Sequence, residues 1–512
     1  MTRQRAYALL GAMVALVALV CTAIVGGFDL LGGAARAGGG HGNGTGTGDG
    51  TGIGLGQGQG LSTGSGSGSD SDSGSGSHHA NGTGSGTGGD AWSSRPPGRT
   101  PVGNADPASA ESWSGTWAAA PGGAEPGAPI GHPGRSIRNV IHTSIGGTGV
   151  RVTLSNLYSP TALLIGHASV AIGTGGGQRG TDGGGDGRGD GRGEGGGGGG
   201  SGAEAVAGTM RKLTFGRQSA VTVPPRGQIV SDPVELPVPY DGDLLITLYT
   251  PAPGGPVTYH PQAYQTSYLA QGDRTEDLDG TAYTQPTPFW RYVTAVDVLN
   301  RESPGAVVAF GDSITDGDGS LHDANRRWPD VLAARLRDRH IGVLNAGVSG
   351  NRVLGDESRR GCGASGLSRF RHDVLGRTGV RAVVIDLGVN DILRGGERDP
   401  RRITAGLREL TRQAHARGVR VIGATLAPFG GHRGYSAATE SVRQRVNEEI
   451  RSGGIFDEVV DFDQVLRDPY APDRLRPVYD SGDGLHPSDA GYRAMGRHLD
   501  LESLEGKVPA QL

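Results

Sequence analysis

Apolar positions fall into two regimes along this chain. Between about residue 112 and residue 300 they come as short runs separated by Gly and Pro, at 137–143, 150–154, 168–172, 212–215, 220–223, 244–249 and 292–298, and none repeats with a helical period. Runs of this length and spacing predict antiparallel strands arranged as a β-sandwich over residues 111–300. Beyond Arg301 the pattern changes: apolar runs at 306–310, 342–345, 382–387, 419–425 and 459–462 alternate with stretches whose apolar residues recur every three or four positions. Trp328, Val331, Leu332 and Leu336 share one helical face, with Pro329 suited to a first turn. Ile403, Leu407, Leu410 and Ala414 share another, as do Val442, Val446 and Ile450, while Tyr492, Met495 and Leu499 line a last helix after Pro487. Strand and helix in alternation predict a doubly wound α/β domain with a five-stranded parallel sheet over 301–503, followed by a short tail at 504–512.

Upstream of residue 111 neither period is present. Arg3 and Arg5 precede an uncharged apolar run over 6–25, and Ala35-Arg36-Ala37 offers small residues for cleavage. Residues 1–37 therefore read as an export signal or, uncleaved, as a membrane anchor, with the arginines keeping the N-terminus inside and sending the rest out. Residues 38–110 alternate Gly with Ser, Thr, Asn and Asp; such a segment buries too little to offset chain entropy and is expected to be a disordered linker. A similar tract at 174–202 interrupts the strand-rich region. Its Asp182, Asp186, Asp190 and Glu194 lack the nonapeptide spacing of calcium-binding repeats, so a disordered insertion is expected there too.

Charge narrows the partners. A formal net charge of −4 without a dense Lys/Arg cluster argues against nucleic acid and for a small or neutral ligand. Cysteine occurs twice, and Cys21 lies in the leader, so Cys362 would stand alone in a mature chain with no disulfide framework.

Four polar segments carry candidate chemistry. Ser313 follows the buried run 306–310 in Gly311-Asp-Ser-Ile-Thr-Asp-Gly317, and ligands gather at the carboxyl ends of parallel strands. In Asn345-Ala-Gly-Val-Ser-Gly-Asn351 a glycine lets a backbone N–H approach a substrate oxygen. Gly388-Val-Asn-Asp391 presents an amide donor, Asn390, and Asp483-Gly-Leu-His-Pro487 places a carboxylate three residues before a histidine. A serine hydroxyl needs a base to take its proton and a carboxylate to orient that base; His486 and Asp483 can supply both from one turn. Each segment alone is equally well a turn or a helix cap; together at one edge of one sheet they point to acyl transfer.

These four segments resemble, in order, the four sequence blocks of the GDSL or SGNH hydrolases. The resemblance implies a flavodoxin-like three-layer α/β/α domain and an exported esterase without metal or cofactor. It casts Ser313 as nucleophile, Ser313, Gly350 and Asn390 as oxyanion-hole donors, and His486 and Asp483 as the rest of a triad. Trp113-Ser-Gly-Thr-Trp117, Ser231-Asp-Pro-Val234, Arg327-Trp-Pro-Asp330, Gly423-Ala-Thr-Leu426 and Tyr479-Asp-Ser-Gly-Asp483 are similar to the secreted actinobacterial branch related to rumen arylesterase/acylhydrolases. That branch usually has histidine where Gly484 stands, a position between the two triad residues and not part of them. The expected partner is a small-molecule or polysaccharide ester, and the expected state a monomer.

Other readings fit less of the chain. An α/β-hydrolase elbow, Gly-x-Ser-x-Gly, fails because Thr315 replaces the last glycine. An FMN-binding flavodoxin would need a denser Ser/Thr-Gly loop at 311–317 and would have no use for Asp483 and His486. A non-catalytic cell-wall or carbohydrate-binding protein accounts for the sandwich and the linker, but not for five intact catalytic residue types.

Overall fold

The computed structural model describes residues 112–176, 202–357 and 361–506. The leader or anchor, the 38–110 linker, most of the 174–202 insertion and most of the tail lie outside the described residues. Among the described residues no helix is long and apolar enough to cross a membrane.

The first half is built from antiparallel sheets. One runs in the order Trp113–Ala118, Val293–Leu299, Gly147–Ser155, Val234–Val238, with Gln228–Val230 also paired to Gly147–Ser155. A second runs Gln285–Thr287, Ser267–Gln271, Arg135–His142, Asp243–Thr250, His167–Ile172, Arg211–Lys212, and smaller sheets pair Thr258–His260 with Trp290–Arg291 and Gly123–Ala124, and Leu163–Ile165 with Val221–Val223. Alternate side chains explain how they meet: Val150, Val152 and Leu154 from the first sheet and Ile137, Ile141, Leu244, Ile246 and Leu248 from the second enter one apolar cluster. Leu245, between two of these, points the other way and packs with Val140 and Ala171.

Each predicted run in this half lies on or overlaps a strand, but of the run at 212–215 only Lys212 does so, at the end of the strand Arg211–Lys212. Several strands escaped the pattern. Trp113–Ala118 is interrupted by Gly115 and a register shift between Gly115 and Trp117, and Val234–Val238 contains Pro237, which its edge position tolerates.

The second half is a parallel sheet of β1 (Gly305–Gly311), β2 (Ile341–Gly347), β3 (Val380–Asp386), β4 (Arg420–Ala424) and β5 (Glu458–Val460), in the spatial order β2-β1-β3-β4-β5. Its helices are α1 (Ser313–Asp316), α2 (Trp328–Leu336), α3 (Gly366–Phe370), α4 (Val389–Leu393), α5 (Pro400–His415), α6 (Ala437–Arg451), α7 (Phe462–Leu466), α8 (Asp489–His498) and α9 (Leu501–Glu505). Both faces of the sheet are buried. Ala306, Val308 and Phe310 of β1 pack with Ile403, Leu407 and Leu410 of α5 and Val442, Val446 and Ile450 of α6. Val307 and Ala309 pack instead with Trp328, Leu332 and Leu336 of α2 and Tyr492 and Met495 of α8. The result is a three-layer α/β/α fold, as the alternation predicts.

Two local departures have clear causes. The run at 459–462 does not finish as strand, because the Asp461 side chain accepts from the Gln464 N–H and starts α7 at Phe462. Helices α1, α3, α4, α7 and α9 are five residues or shorter and leave no periodic trace.

The two halves interlock along β2. The Ser144 hydroxyl accepts from the Val343 N–H (2.9 Å), occupying a donor on the outer edge of β2, and Gly115 N–H donates to the Thr378 carbonyl (3.2 Å). Gly342 lets the backbones touch: a Cβ there would lie 2.1 Å from the Gly115 carbonyl oxygen. An edge that would otherwise be open for pairing is thus covered.

Candidate active site

Strand order dictates where a site can form. β1 lies between β2 and β3, so the chain leaves β1 to one side and returns on the other, opening a crevice at the carboxyl end of β1. Ser313 stands there as the first residue of α1, buried, one residue after Asp312, whose carboxylate caps the helix by accepting from the Ile314 N–H (3.1 Å). Arg369 ties the strand ends together: it donates to the carbonyls of Gly311 and Ala346 (both 2.8 Å) and to Asn351 Oδ1 (2.9 Å). Asn351 in turn donates to the carbonyls of Cys362 and Ala364.

His486 and Asp483 reach this crevice from an irregular segment preceding α8. Unlike the other three segments, theirs does not directly follow a strand: α7 and a long irregular stretch from Arg467 onward separate it from β5. His486 Nδ1 is 2.6 Å from Asp483 Oδ2, and Nε2 is 2.9 Å from Ser313 Oγ. A carboxylate only accepts, so Nδ1 carries the ring proton and the lone pair of Nε2 faces the serine hydroxyl. Asp483 Oδ1 accepts from the N–H groups of Leu485 and His486 (both 2.9 Å), which locks the turn. These bonds outweigh partial burial and hold the Asp483 carboxyl well below the usual carboxylate range. His486 moves the other way. Burial disfavours its charged form, but the hydrogen bond to Asp483 and the charge of Asp318 outweigh this and raise its pKa.

Asn390 lies in the first turn of α4 and is 4% exposed, yet its Nδ2 has no hydrogen-bond partner. It does not cap the helix; Gly388 occupies the cap position, without a side-chain bond. An orphaned buried donor lining the same pocket as the Ser313 hydroxyl is a group waiting for an acceptor. Its neighbour Asp391 accepts from the N–H groups of Val353 and Leu354 (2.7 and 3.0 Å) and so ties the loop after β2 to α4; burial pushes its carboxyl up to about 6. Gly350, at φ +78°, leaves no room for a side chain, since a Cβ would lie 2.8 Å from Cys362 Sγ. Ser313, Gly350, Asn390 and His486 line one pocket of about 410 Å³; Asp483 stands behind the histidine, outside the lining.

Several lining residues were not singled out from the sequence. Cys362, expected only to stand alone without a disulfide partner, is buried in the pocket wall, with Arg394 Nη2 3.5 Å from its sulfur. Pro261 and Gln262 enter from the antiparallel half, and His432 and Arg433 from the stretch after β4. Asp318, five residues past the serine, has Oδ2 3.7 Å from His486 Nε2 and receives a short hydrogen bond from the Tyr264 hydroxyl. Asp316 lies within the Gly311–Gly317 stretch and Asp318 just beyond it, two acids close to Ser313 in sequence to which the spacing assigned no role. Tyr264 and Gln262, some fifty residues upstream, left no signal that sequence spacing could connect to Ser313. Among the described residues no group of three or more His, Cys, Asp or Glu side chains is arranged to hold a metal ion.

Residues 309–494 match the GDSL-like Lipase/Acylhydrolase family. No curated protein sequence matches the chain. Among solved structures, the chain is similar to a putative lipolytic protein of the G-D-S-L family from Desulfitobacterium hafniense DCB-2, with 24% identity over 38% of this chain and 96% of that one (TM-score 0.30). It is also similar to Est24, a carbohydrate acetylesterase from Sinorhizobium meliloti (20% identity, 37% and 94% covered, TM-score 0.31). A third is the native M. Smegmatis aryl esterase (21% identity, 38% and 94% covered, TM-score 0.32).

Proposed function

From the premise that this chain carries a GDSL-like lipase/acylhydrolase domain over residues 309–494, we propose that it is an exported serine esterase that cleaves short acyl esters through an acyl-enzyme. The observation that carries this reading is the unbroken chain from Asp483 through His486 to Ser313 Oγ, facing the orphaned Asn390 amide across one pocket.

In the proposed reaction Ser313 Oγ attacks the ester carbonyl carbon while His486 Nε2 takes the hydroxyl proton. The carbonyl oxygen becomes negative and is held by the Ser313 and Gly350 N–H groups and by Asn390 Nδ2. Collapse breaks the bond to the alcohol, which leaves with the proton from His486. Water then repeats the sequence on the acyl-enzyme, releasing the acid and restoring Ser313.

Pocket chemistry supports a short acyl group on a polar alcohol. Pro261, Leu393 and Leu485 are its larger apolar walls, while Gln262, Asp318, Arg394, His432 and Arg433 are polar or charged. An acetylated polysaccharide fits such walls better than a long acyl chain. Export is supported by the charge and hydropathy pattern of residues 1–37.

A fluorophosphonate should add one adduct, at Ser313, and Ser313→Ala should abolish both labelling and turnover. An adduct on another residue would overturn the assignment. Release of acetate from acetylated xylan, and hydrolysis of short-chain nitrophenyl esters in preference to long-chain ones, are the expected outcomes for specificity; preference for the long chains would overturn the short-acyl reading.

A further inference from the structure

Both ring nitrogens of His260 face oxygens placed to accept. Nδ1 is 2.8 Å from the Ala120 carbonyl oxygen; Nε2 is 2.9 Å from the Gln262 carbonyl oxygen and 3.0 Å from Asp316 Oδ1. Carbonyl and carboxylate oxygens have no proton to give, so each nitrogen must carry one, and the ring is an imidazolium. It is 4% exposed, Asp316 is 2% exposed, and the Trp290 ring lies against it at 5.3 Å between centroids. This is an ion pair withdrawn from water.

The pair sits where three parts of the site meet. His260 belongs to the antiparallel half, ending the strand Thr258–His260. Asp316 is the last residue of α1, the helix that Ser313 begins. The second oxygen of Asp316 accepts from both the N–H and the hydroxyl of Ser349 (2.8 and 2.9 Å), the residue before Gly350.

We propose that His260 is a positioning residue for the reaction: its charged ring fixes Asp316, Asp316 fixes Ser349, and Ser349 aims the Gly350 N–H at the developing oxyanion. The inference rests on the reading of Gly350 as an oxyanion donor.

Other charged groups near Asp316 are already committed. Arg327 is paired with Asp330, and Arg369 with Asp373 and the strand-end carbonyls, while Tyr264 and Asp318 bond each other. Among the described residues His260 is the cation in contact with Asp316. Burial works against the charged ring but is outweighed by Asp316 and the two carbonyls, which raise its pKa. The sign follows directly. The clamp is intact below the folded pKa and is lost as pH rises through it, giving an alkaline limb above the ~6.5 of a free imidazole.

The test uses the full chain with His260→Gln and Ser349→Ala, singly and together, and nitrophenyl acetate as substrate from about pH 6 to about pH 10. Turnover is expressed per site labelled by fluorophosphonate, so that loss of folded protein does not count. Loss of a whole oxyanion donor costs about 10²- to 10³-fold, so a misaimed one should lower kcat about 10- to 100-fold in His260→Gln with KM within about threefold. Its alkaline limb should disappear, and the double variant should lose little beyond the worse single one. Turnover per labelled site within about twofold of the parent, or an alkaline limb that persists in His260→Gln, would overturn the inference. If His260→Gln does not fold, Ser349→Ala decides: unchanged kcat there overturns it. Failure of the parent chain to label at Ser313 would instead overturn the proposed function beneath it.

Discussion

At the residue scale, Asn390 separates catalysis from packing. Its amide is buried and bonds nothing, so Asn390→Ala removes no hydrogen bond from the folded protein. Melting temperature should hold, while kcat falls about 10²- to 10³-fold and KM stays close to its parent value, the pattern of a donor used in the transition state. A variant that melts earlier and turns over normally would mark Asn390 as structural. The acid limb tests His486 in the same way. It must be neutral to act as base, and Asp483 and Asp318 raise its pKa, so kcat/KM should fall as pH drops through a value above the ~6.5 of a free imidazole. Asp318→Asn removes one of those charges and should move the limb to lower pH. A limb that stays in place would show that the 3.7 Å approach has no electrostatic consequence.

At the element scale, periodic helices were legible and short ones were not. Ile403, Leu407, Leu410 and Ala414 recur at helical spacing because α5 buries one face on the sheet, and all four are buried as expected. Leu410→Ala should therefore cost about 2 to 5 kcal/mol in urea denaturation, by creating a cavity, with activity retained at temperatures where the variant is folded. Ser436→Ala should cost about 1 kcal/mol, since that hydroxyl accepts from the Thr439 N–H at the start of α6. Helix α4 had no such signature. Five residues span little more than one turn, so its existence depends on β3 ending beneath it and on Asp391 holding the loop after β2. The four polar segments were legible because each is local in sequence; the distance of Asp483 and His486 from any strand was not.

At the scale of the whole molecule, the antiparallel half contributes side chains to the pocket as well as packing beside the parallel sheet. It covers the edge of β2 through Ser144 and Gly115, and it delivers His260, Gln262 and Tyr264 to the site. A chain beginning at residue 301 should therefore aggregate or lose esterase activity, whereas calorimetry of the full chain should give a single cooperative transition. Two separated transitions, or an active fragment, would show that the halves are independent. Deleting residues 38–107, which have little to bury, should leave both melting temperature and kcat/KM unchanged.

The sequence by itself determined what depends on neighbours along the chain: the alternating elements, the buried helical faces, the glycine at 350, and a serine, an amide and an Asp-His pair in polar segments. Backbone period and side-chain chemistry are local properties, readable without coordinates. Only the tertiary structure decided which distant groups share the crevice. Ser313 and His486 are 173 positions apart and 2.9 Å apart in space, and His260 reaches Asp316 from another sheet. At those meetings carboxylates and carbonyls overcome the opposing effect of burial and raise the pKa of each histidine, and no spacing in a linear sequence encodes that balance.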